Sequence, residues 1–306
     1  RLNIMEKHMH TDTGIAKFNG TTHRGNLKMP KSKLGLGIIG KGFVGGAVYE
    51  GFNTKEVRIN IVDPVHSSLT LDDLADINPD VMFICVPTPV GSGGAVDASL
   101  ISTTLQRLDK NLYEGVVVIK STVSASVLNN YVETYPGLNI VYNPEFLTEA
   151  NANDDFINPP FQIFGGDWDE CSKVEEMYVR YSKVKPVPTF KMDIKAASFL
   201  KYTVNSWLAT KVTFFNELRL LYDTYNMETP WEEFVGVLAH EPRIGASHMN
   251  VPGPDGQFGF GGNCFPKDTR AFVEESRNSS MLTLLNAAIQ LNNSMRQNVQ
   301  LEEVKR

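Results

Sequence analysis

The stretch 36–45 constrains the fold more than any other part of the chain. An apolar run at 36–39 leads directly into Gly40-Lys41-Gly42-Phe43-Val44-Gly45, a Gly-x-Gly-x-x-Gly pattern opening a helical segment. In such a turn the first glycine allows the tight bend and the second lets the backbone approach a pyrophosphate. The third allows the helix to pack closely on the strand. Asp63 closes the next apolar run 23 positions after Gly40. A carboxylate there can bind ribose hydroxyls and repel a 2′-phosphate, so the expected cofactor is NAD rather than NADP. Gly40, Gly42, Phe43, Val44, Gly45 and Asp63 are therefore candidate cofactor contacts. Thr88 joins them from the stiff Val86-Pro87-Thr88-Pro89 turn, although a plain loop would read the same.

The remaining organisation extends this start. Runs at 36–39, 57–62, 81–86, 116–119 and 140–142 are rich in Val and Ile and bounded by Gly, Pro, Asp or Asn, the signature of buried parallel strands. Further strands are expected at 161–164 and 187–190, with a helix over 167–182 between them. After Met192 the apolar spacing becomes helical over 194–225, from Pro230, from Pro266 and over 280–304. The expected class is α/β: a Rossmann-like parallel-sheet domain over 34–192, followed by an all-helical middle or dimerisation domain over 193–306. Residues 1–33 read as a flexible extension without apolar periodicity, and Met29-Pro30-Lys31 reads as a native start.

Charge excludes several function classes. The net charge is −6, with +5 on residues 1–33 and −11 on the rest, so the body of the chain lacks the basic footprint of a nucleic-acid binder. The apolar runs are strand-sized and far short of the roughly 18 to 20 residues that span a bilayer. Cys85, Cys171 and Cys264 show neither disulfide nor metal-site spacing, which fits a reducing cytoplasm and no bound metal.

Several segments carry groups suited to chemistry. Lys120-Ser121-Thr122-Val123 and Asn143-Pro144-Glu145-Phe146-Leu147-Thr148-Glu149 follow the fourth and fifth runs, at the edge where ligands of such sheets lie. Lys201 and Asn205 are one helical turn apart and can point at one ligand oxygen, as a solvated lysine beside an asparagine also would. In Phe258-Gly259-Phe260-Gly261-Gly262-Asn263-Cys264-Phe265-Pro266-Lys267-Asp268, Pro266 is suited to the first helical position, which puts Cys264 at a helix amino terminus and favours its thiolate. Asp268 lies near the same helix start and can hold water or exchange protons.

Taken together and in order, these motifs resemble the UDP-glucose/GDP-mannose dehydrogenase family over roughly residues 34–306. The resemblance also rests on Asn216-Glu217 and Arg243-Ile244-Gly245. It implies a four-electron oxidation of a nucleotide sugar, UDP-glucose by overall likeness, at the cost of two NAD. Carried over by motif, Cys264 forms a thiohemiacetal and then a thioester, and Lys201 and Asn205 stabilise the oxyanions. Asp268 positions water or relays protons, while Glu145 acts as base for thioester hydrolysis with Thr122 holding the water. Glu149 lies close to the nicotinamide. Phe146, Leu147, Lys201, Asn205, Phe260 and Gly261 contact substrate, and Arg243 reaches it across a homodimer interface. Family chains continue through a connecting helix into a third, sugar-nucleotide-binding domain, whereas this sequence stops at Arg306.

Thr148, Ala150 and Asn263 depart from the family's usual residues. Two other readings compete. A two-electron β-hydroxyacid dehydrogenase explains the length and the Lys201–Asn205 spacing but not Cys264 in its setting nor Glu145. A non-catalytic NAD-binding dimerisation module is the other.

Overall fold

The computed structural model describes residues 33–276 and 281–303. Apart from Lys33, the extension expected at 1–33 lies outside the described residues. Strand and helix alternate from the start: β1 (Leu34–Ile39), α1 (Phe43–Phe52), β2 (Val57–Val62), α2 (Leu71–Ile77), β3 (Val81–Ile84), α3 (Ser99–Lys110), β4 (Val116–Ile119), α4 (Ala125–Thr134) and β5 (Asn139–Tyr142). The chain continues through α5 (Ala152–Ile157), β6 (Gln162–Gly166), α6 (Trp168–Tyr181) and β7 (Thr189–Met192). One seven-stranded sheet results, in the order β2-β1-β3-β4-β5-β6-β7.

Two expectations need correction. The third strand ends at Ile84 rather than Val86: Cys85 N still donates to Ile39 O, but Pro87 and Pro89 have no N–H with which to continue a ladder. The sheet is also not wholly parallel, because β6 runs antiparallel to β5. The connection between them, residues 143–161, holds a 3-10 turn (Glu149–Asn151) and the six-residue α5, about 9 Å long, and enters β6 at the end of the sheet where β5 left it.

Burial on both faces explains the uninterrupted apolar strands. One face packs Met82, Ile84, Val117, Ile119 and Tyr142 under α2, α3 and α4; the other packs Leu36, Ile38, Phe83 and Val118 against α1, α5 and α6. The next element is α7 (Ile194–Thr224), 31 residues and about 46 Å long, capped by the Asp193 carboxylate accepting from Ala196 N. Its first turns lie on the sheet domain, where Ser198 Oγ donates to Val123 O at 2.7 Å. Its later turns pack on α8 (Trp231–Leu238), α9 (Phe265–Glu275) and α10 (Thr283–Glu303), with Tyr202, Phe260, Phe272 and Ile289 forming a separate core. The segment 239–264, between α8 and α9, is irregular. None of the described helices is long and apolar enough to cross a membrane.

Candidate active site

The carboxyl ends of β1, β3, β4 and β5 open into a cavity of about 930 Å³. The glycine turn forms one end of it. Gly40 adopts φ +86°, and a Cβ on Gly45 would lie 1.9 Å from Gly40 O, so this turn admits no side chain where α1 meets β1. A Cβ on Gly42, by contrast, would meet nothing within 4 Å, leaving the cavity open above the backbone. The amino end of α1 carries neither a side-chain cap nor an acid in its first turn, so its N–H groups remain available to an anion.

Asp63 lies on the cavity wall and accepts from Lys41 N at 2.7 Å, Val65 N at 2.9 Å and His66 N at 3.1 Å. The Lys41 bond does most to hold its carboxyl below the usual value. Of the roughly four acceptor positions on a carboxylate, one on Oδ2 is left for a ribose hydroxyl. Phe43, Val44, Thr88, Thr122 and Glu149 complete the wall, with Gly45 behind it. An open glycine backbone, an uncapped helix terminus and an ionised acid at the adjacent strand end together fit a dinucleotide lacking a 2′-phosphate.

Cys264 and Glu145 line the far end of the same cavity. Beneath them, α7 and α9 bring four more groups together. Lys201 Nζ donates to Glu145 O and, at 3.2 Å, to Glu145 Oε1, with both side chains almost wholly buried. Asn205 Nδ2 donates to Asp268 Oδ2 at 2.6 Å, and Lys267 Nζ donates to Asp268 Oδ1 at 2.6 Å. Burial opposes the Lys201 ammonium, but Glu145, Asp268 and Cys264 outweigh it and raise its pKa, so the lysine is charged.

Lys201 and Asn205 therefore share a helix face, as their spacing predicts, yet engage different carboxylates. The expectation of a favoured Cys264 thiolate is overturned. Cys264 caps α9, with Phe265 first and Pro266 second in the helix, but burial and then the neighbouring Glu145 push its thiol up to about 11 against the pull of Lys201. A single helix end does not offset desolvation of an anion beside a carboxylate.

Other expected residues lie apart from this cluster. Phe146 and Leu147 line a smaller cavity of about 150 Å³ on the other side of Glu145, with Lys201 Nζ 5.1 Å from the Phe146 ring centre. Phe260 and Gly261 line neither cavity. Arg243 is exposed at the far part of the helical region, paired with Glu241 at 2.7 Å beside an apolar groove of about 610 Å³.

Two lysines with no role expected from the sequence also stand here. Lys267 is one. The other is Lys120, fully buried at the end of β4, whose Nζ donates to Asn143 Oδ1 at 2.8 Å and Asn143 O at 3.2 Å; burial lowers its pKa to about 8. The signal for Lys120 was a lysine ending an otherwise apolar strand. Among the described residues, no group of three or more His, Cys, Asp or Glu could hold a metal ion.

The model of the UDP-glucose/GDP-mannose dehydrogenase family's NAD binding domain matches residues 68–182, and that of its central domain matches residues 195–294. The first match begins beyond the glycine turn and Asp63, whose reading rests on the geometry above. The chain is 28% identical to a UDP-glucose 6-dehydrogenase of Bacillus subtilis, over 79% of this chain and 53% of that protein. It is 32% identical to a GDP-mannose 6-dehydrogenase of Pseudomonas aeruginosa, over 65% of this chain and 47% of that protein. The chain thus spans about half the length of these curated relatives. A solved UDP-glucose dehydrogenase from the archaeon Pyrobaculum islandicum superposes with a TM-score of 0.76 at 25% identity, over 92% of this chain and 73% of the other.

Proposed function

The chain belongs to the UDP-glucose/GDP-mannose dehydrogenase family, and from that premise we propose that it carries the NAD-dependent four-electron oxidation of a nucleotide sugar, UDP-glucose to UDP-glucuronate, through a thioester on Cys264. One observation carries the reading: Cys264 and Glu145 line the cavity that begins at the glycine turn, with Lys201 paired to Glu145 directly beneath. A two-electron alcohol dehydrogenase has no use for a cysteine at that place.

NAD, when bound, supplies the hydride acceptor for both oxidations. Gly40, Gly42 and the α1 terminus hold its pyrophosphate, Asp63 its ribose, and Thr88, Thr122 and Glu149 its nicotinamide end. The charged Lys201 ammonium stabilises the alkoxide left when the sugar's C6 hydroxyl gives its proton to water held by Asp268, an electrostatic role of the oxyanion-hole kind, and hydride loss from that alkoxide gives the aldehyde. Asn205 keeps one N–H beyond that given to Asp268 and supplies a second donor.

The Cys264 sulfur bonds to the aldehyde carbon while its proton passes, through Asp268 or Glu145, to the resulting oxygen, giving a thiohemiacetal with no net proton change. Loss of a second hydride and a proton leaves the thioester. Glu145 then takes a proton from water held with Thr122, the water oxygen bonds to the acyl carbon, and the sulfur leaves as the regenerated thiol. We assign Phe146 and Leu147 to the sugar, Phe260 and Gly261 to the loop that carries Cys264, residues 34–192 to cofactor binding and 193–306 to dimerisation and catalysis.

The homodimer reading is supported by the apolar groove beside Arg243, where Trp207 is 60% and Phe214 57% exposed. In it, Arg243 of each chain reaches the substrate of the other. The test of the function is production of NADH from NAD and UDP-glucose by this chain, with the product weighed. Two NADH per uronate support the proposal, whereas one NADH with an aldehyde product, or NAD binding without turnover of any sugar nucleotide, would sink it.

A further inference from the structure

The backbone leading into Cys264 is held by side chains from two distant helices instead of by secondary structure. Gly259 N donates to Asn216 Oδ1 on α7 at 2.8 Å. At the next residue, both polar backbone atoms engage one amide on α10: Phe260 N donates to Asn292 Oδ1 at 2.6 Å, and Asn292 Nδ2 donates to Phe260 O at 3.1 Å. One α-helical turn further on, Arg296 Nη2 donates to Gly259 O at 3.0 Å, while its Nη1 holds Asp255 and Gln257.

The glycines of this motif match the clamp. Gly259 has φ +77°, and a Cβ there would lie 2.4 Å from Asn292 Oδ1; a Cβ on Gly261 would lie 2.7 Å from Arg296 Nη2. Close approach at these two positions is thus made by the chain's own α10. A glycine pattern before a cysteine reads in sequence as room for a ligand, and here the room is already filled.

We propose that Asn292 is a positioning residue: its amide, seconded by Arg296, fixes the Gly259–Gly262 loop and thereby sets where the Cys264 sulfur meets the cavity. Asn292 and Asn216 are buried with their bonds made within the chain, so the clamp is present before any ligand arrives. An amide that satisfies both backbone polar atoms of one residue engages the peptide groups on either side of Phe260, acts as a one-residue sheet partner and resists rotation about Phe260 in either sense. This assignment rests on the reading of Cys264 as the nucleophile.

The test is alkylation of Cys264 by iodoacetamide in the free full chain between pH 7 and 10, read by peptide mass spectrometry for the wild type, Asn292→Asp and Asn292→Leu, with NAD affinity measured on the same samples. Cys85 and Cys171 are buried and serve as internal references. Asn292→Asp keeps the size and the acceptor for Phe260 N–H but sets a carboxylate oxygen against Phe260 O. The loop then loosens, the burial holding the thiol at about 11 is relieved, and alkylation at pH 8 quickens roughly three- to fourfold per unit of lowered pKa, the gain in thiolate outweighing its weaker nucleophilicity. The pH profile moves down, kcat falls, and NAD affinity is unchanged.

An unmoved alkylation rate and profile in both variants, with NAD still bound, would overturn the proposal. So would lowered thermal stability with an unmoved profile, which would leave Asn292 as a packing residue. If Asn292→Leu does not fold, Arg296→Met takes its place beside Asn292→Asp. The nucleophile reading fails separately, if Cys264→Ser still makes the carboxylate.

Discussion

Asn205 on α7 and Asp268 on α9, 63 residues apart in sequence, meet at 2.6 Å with the carboxylate fully buried. This bond joins the two halves of the candidate chemistry. Through it the helix that presents Lys201 to Glu145 also anchors the turn that carries Cys264. A buried carboxylate with an amide on one oxygen and an ammonium, Lys267, on the other is satisfied and held still.

Replacing Cys264 by Ser removes the thioester route but leaves the cofactor cavity intact. Carboxylate production falls on the order of a thousandfold or more, the scale on which activated nucleophiles are lost, while NAD titration by fluorescence gives an unchanged Kd. A variant that still forms uronate at the wild-type rate would sink the covalent mechanism.

The Lys201–Glu145 pair is buried, so removing one partner strands the other. Lys201→Met is expected to cost about 3–5 kcal/mol in urea unfolding. The double variant with Glu145→Gln recovers much of that stability and none of the activity. If Lys201→Met alone unfolds like the wild type, the pair carries no such weight.

Asp63→Ala leaves α1 and β2 in place and removes the acid facing the ribose. Charged hydrogen bonds of this kind contribute about 1.5–3 kcal/mol, so the preference for NAD over NADP should narrow by about tenfold or more. Equal preference ratios in wild type and variant would contradict the ribose assignment.

Lys120 supplies a pH dependence with a definite sign. Its pKa in the fold is about 8, below the ordinary 10.5, so between those values the unfolded chain binds more protons and stability rises with pH. Below pH 8 both states are charged and the burial penalty is fully present. The pH dependence of unfolding between 8 and 10.5 should therefore tilt further toward loss of stability in Lys120→Met than in the wild type. Parallel curves for the two proteins would refute a depressed Lys120.

The groove beside Arg243 predicts the oligomer. Trp207→Glu places charge on its apolar wall and should convert a dimer to monomers in light scattering, raising KM for the sugar nucleotide while NAD affinity holds. A wild-type chain that is monomeric at all concentrations would remove the interface.

Much of this was legible in the residues because it is local. Apolar runs on a strand buried on both faces, a glycine turn closed to a Cβ at Gly40 and Gly45, and an acid 23 positions along each follow from short-range sterics and patterning, so the order of strands and helices could be read directly. The reversal of β6 could not, since it depends on where the chain re-enters the sheet. Cys264 shows the same division: its helix terminus is written in Pro266, but the sign of its pKa shift is decided by desolvation and by Glu145, 119 positions earlier. By itself, the sequence determined the cofactor turn and the element order. Only the tertiary structure decided which carboxylate each of Lys201 and Asn205 serves, that Lys120 is buried and that α10 clamps the cysteine loop, because burial and long-range pairing depend on packing that no local spacing encodes.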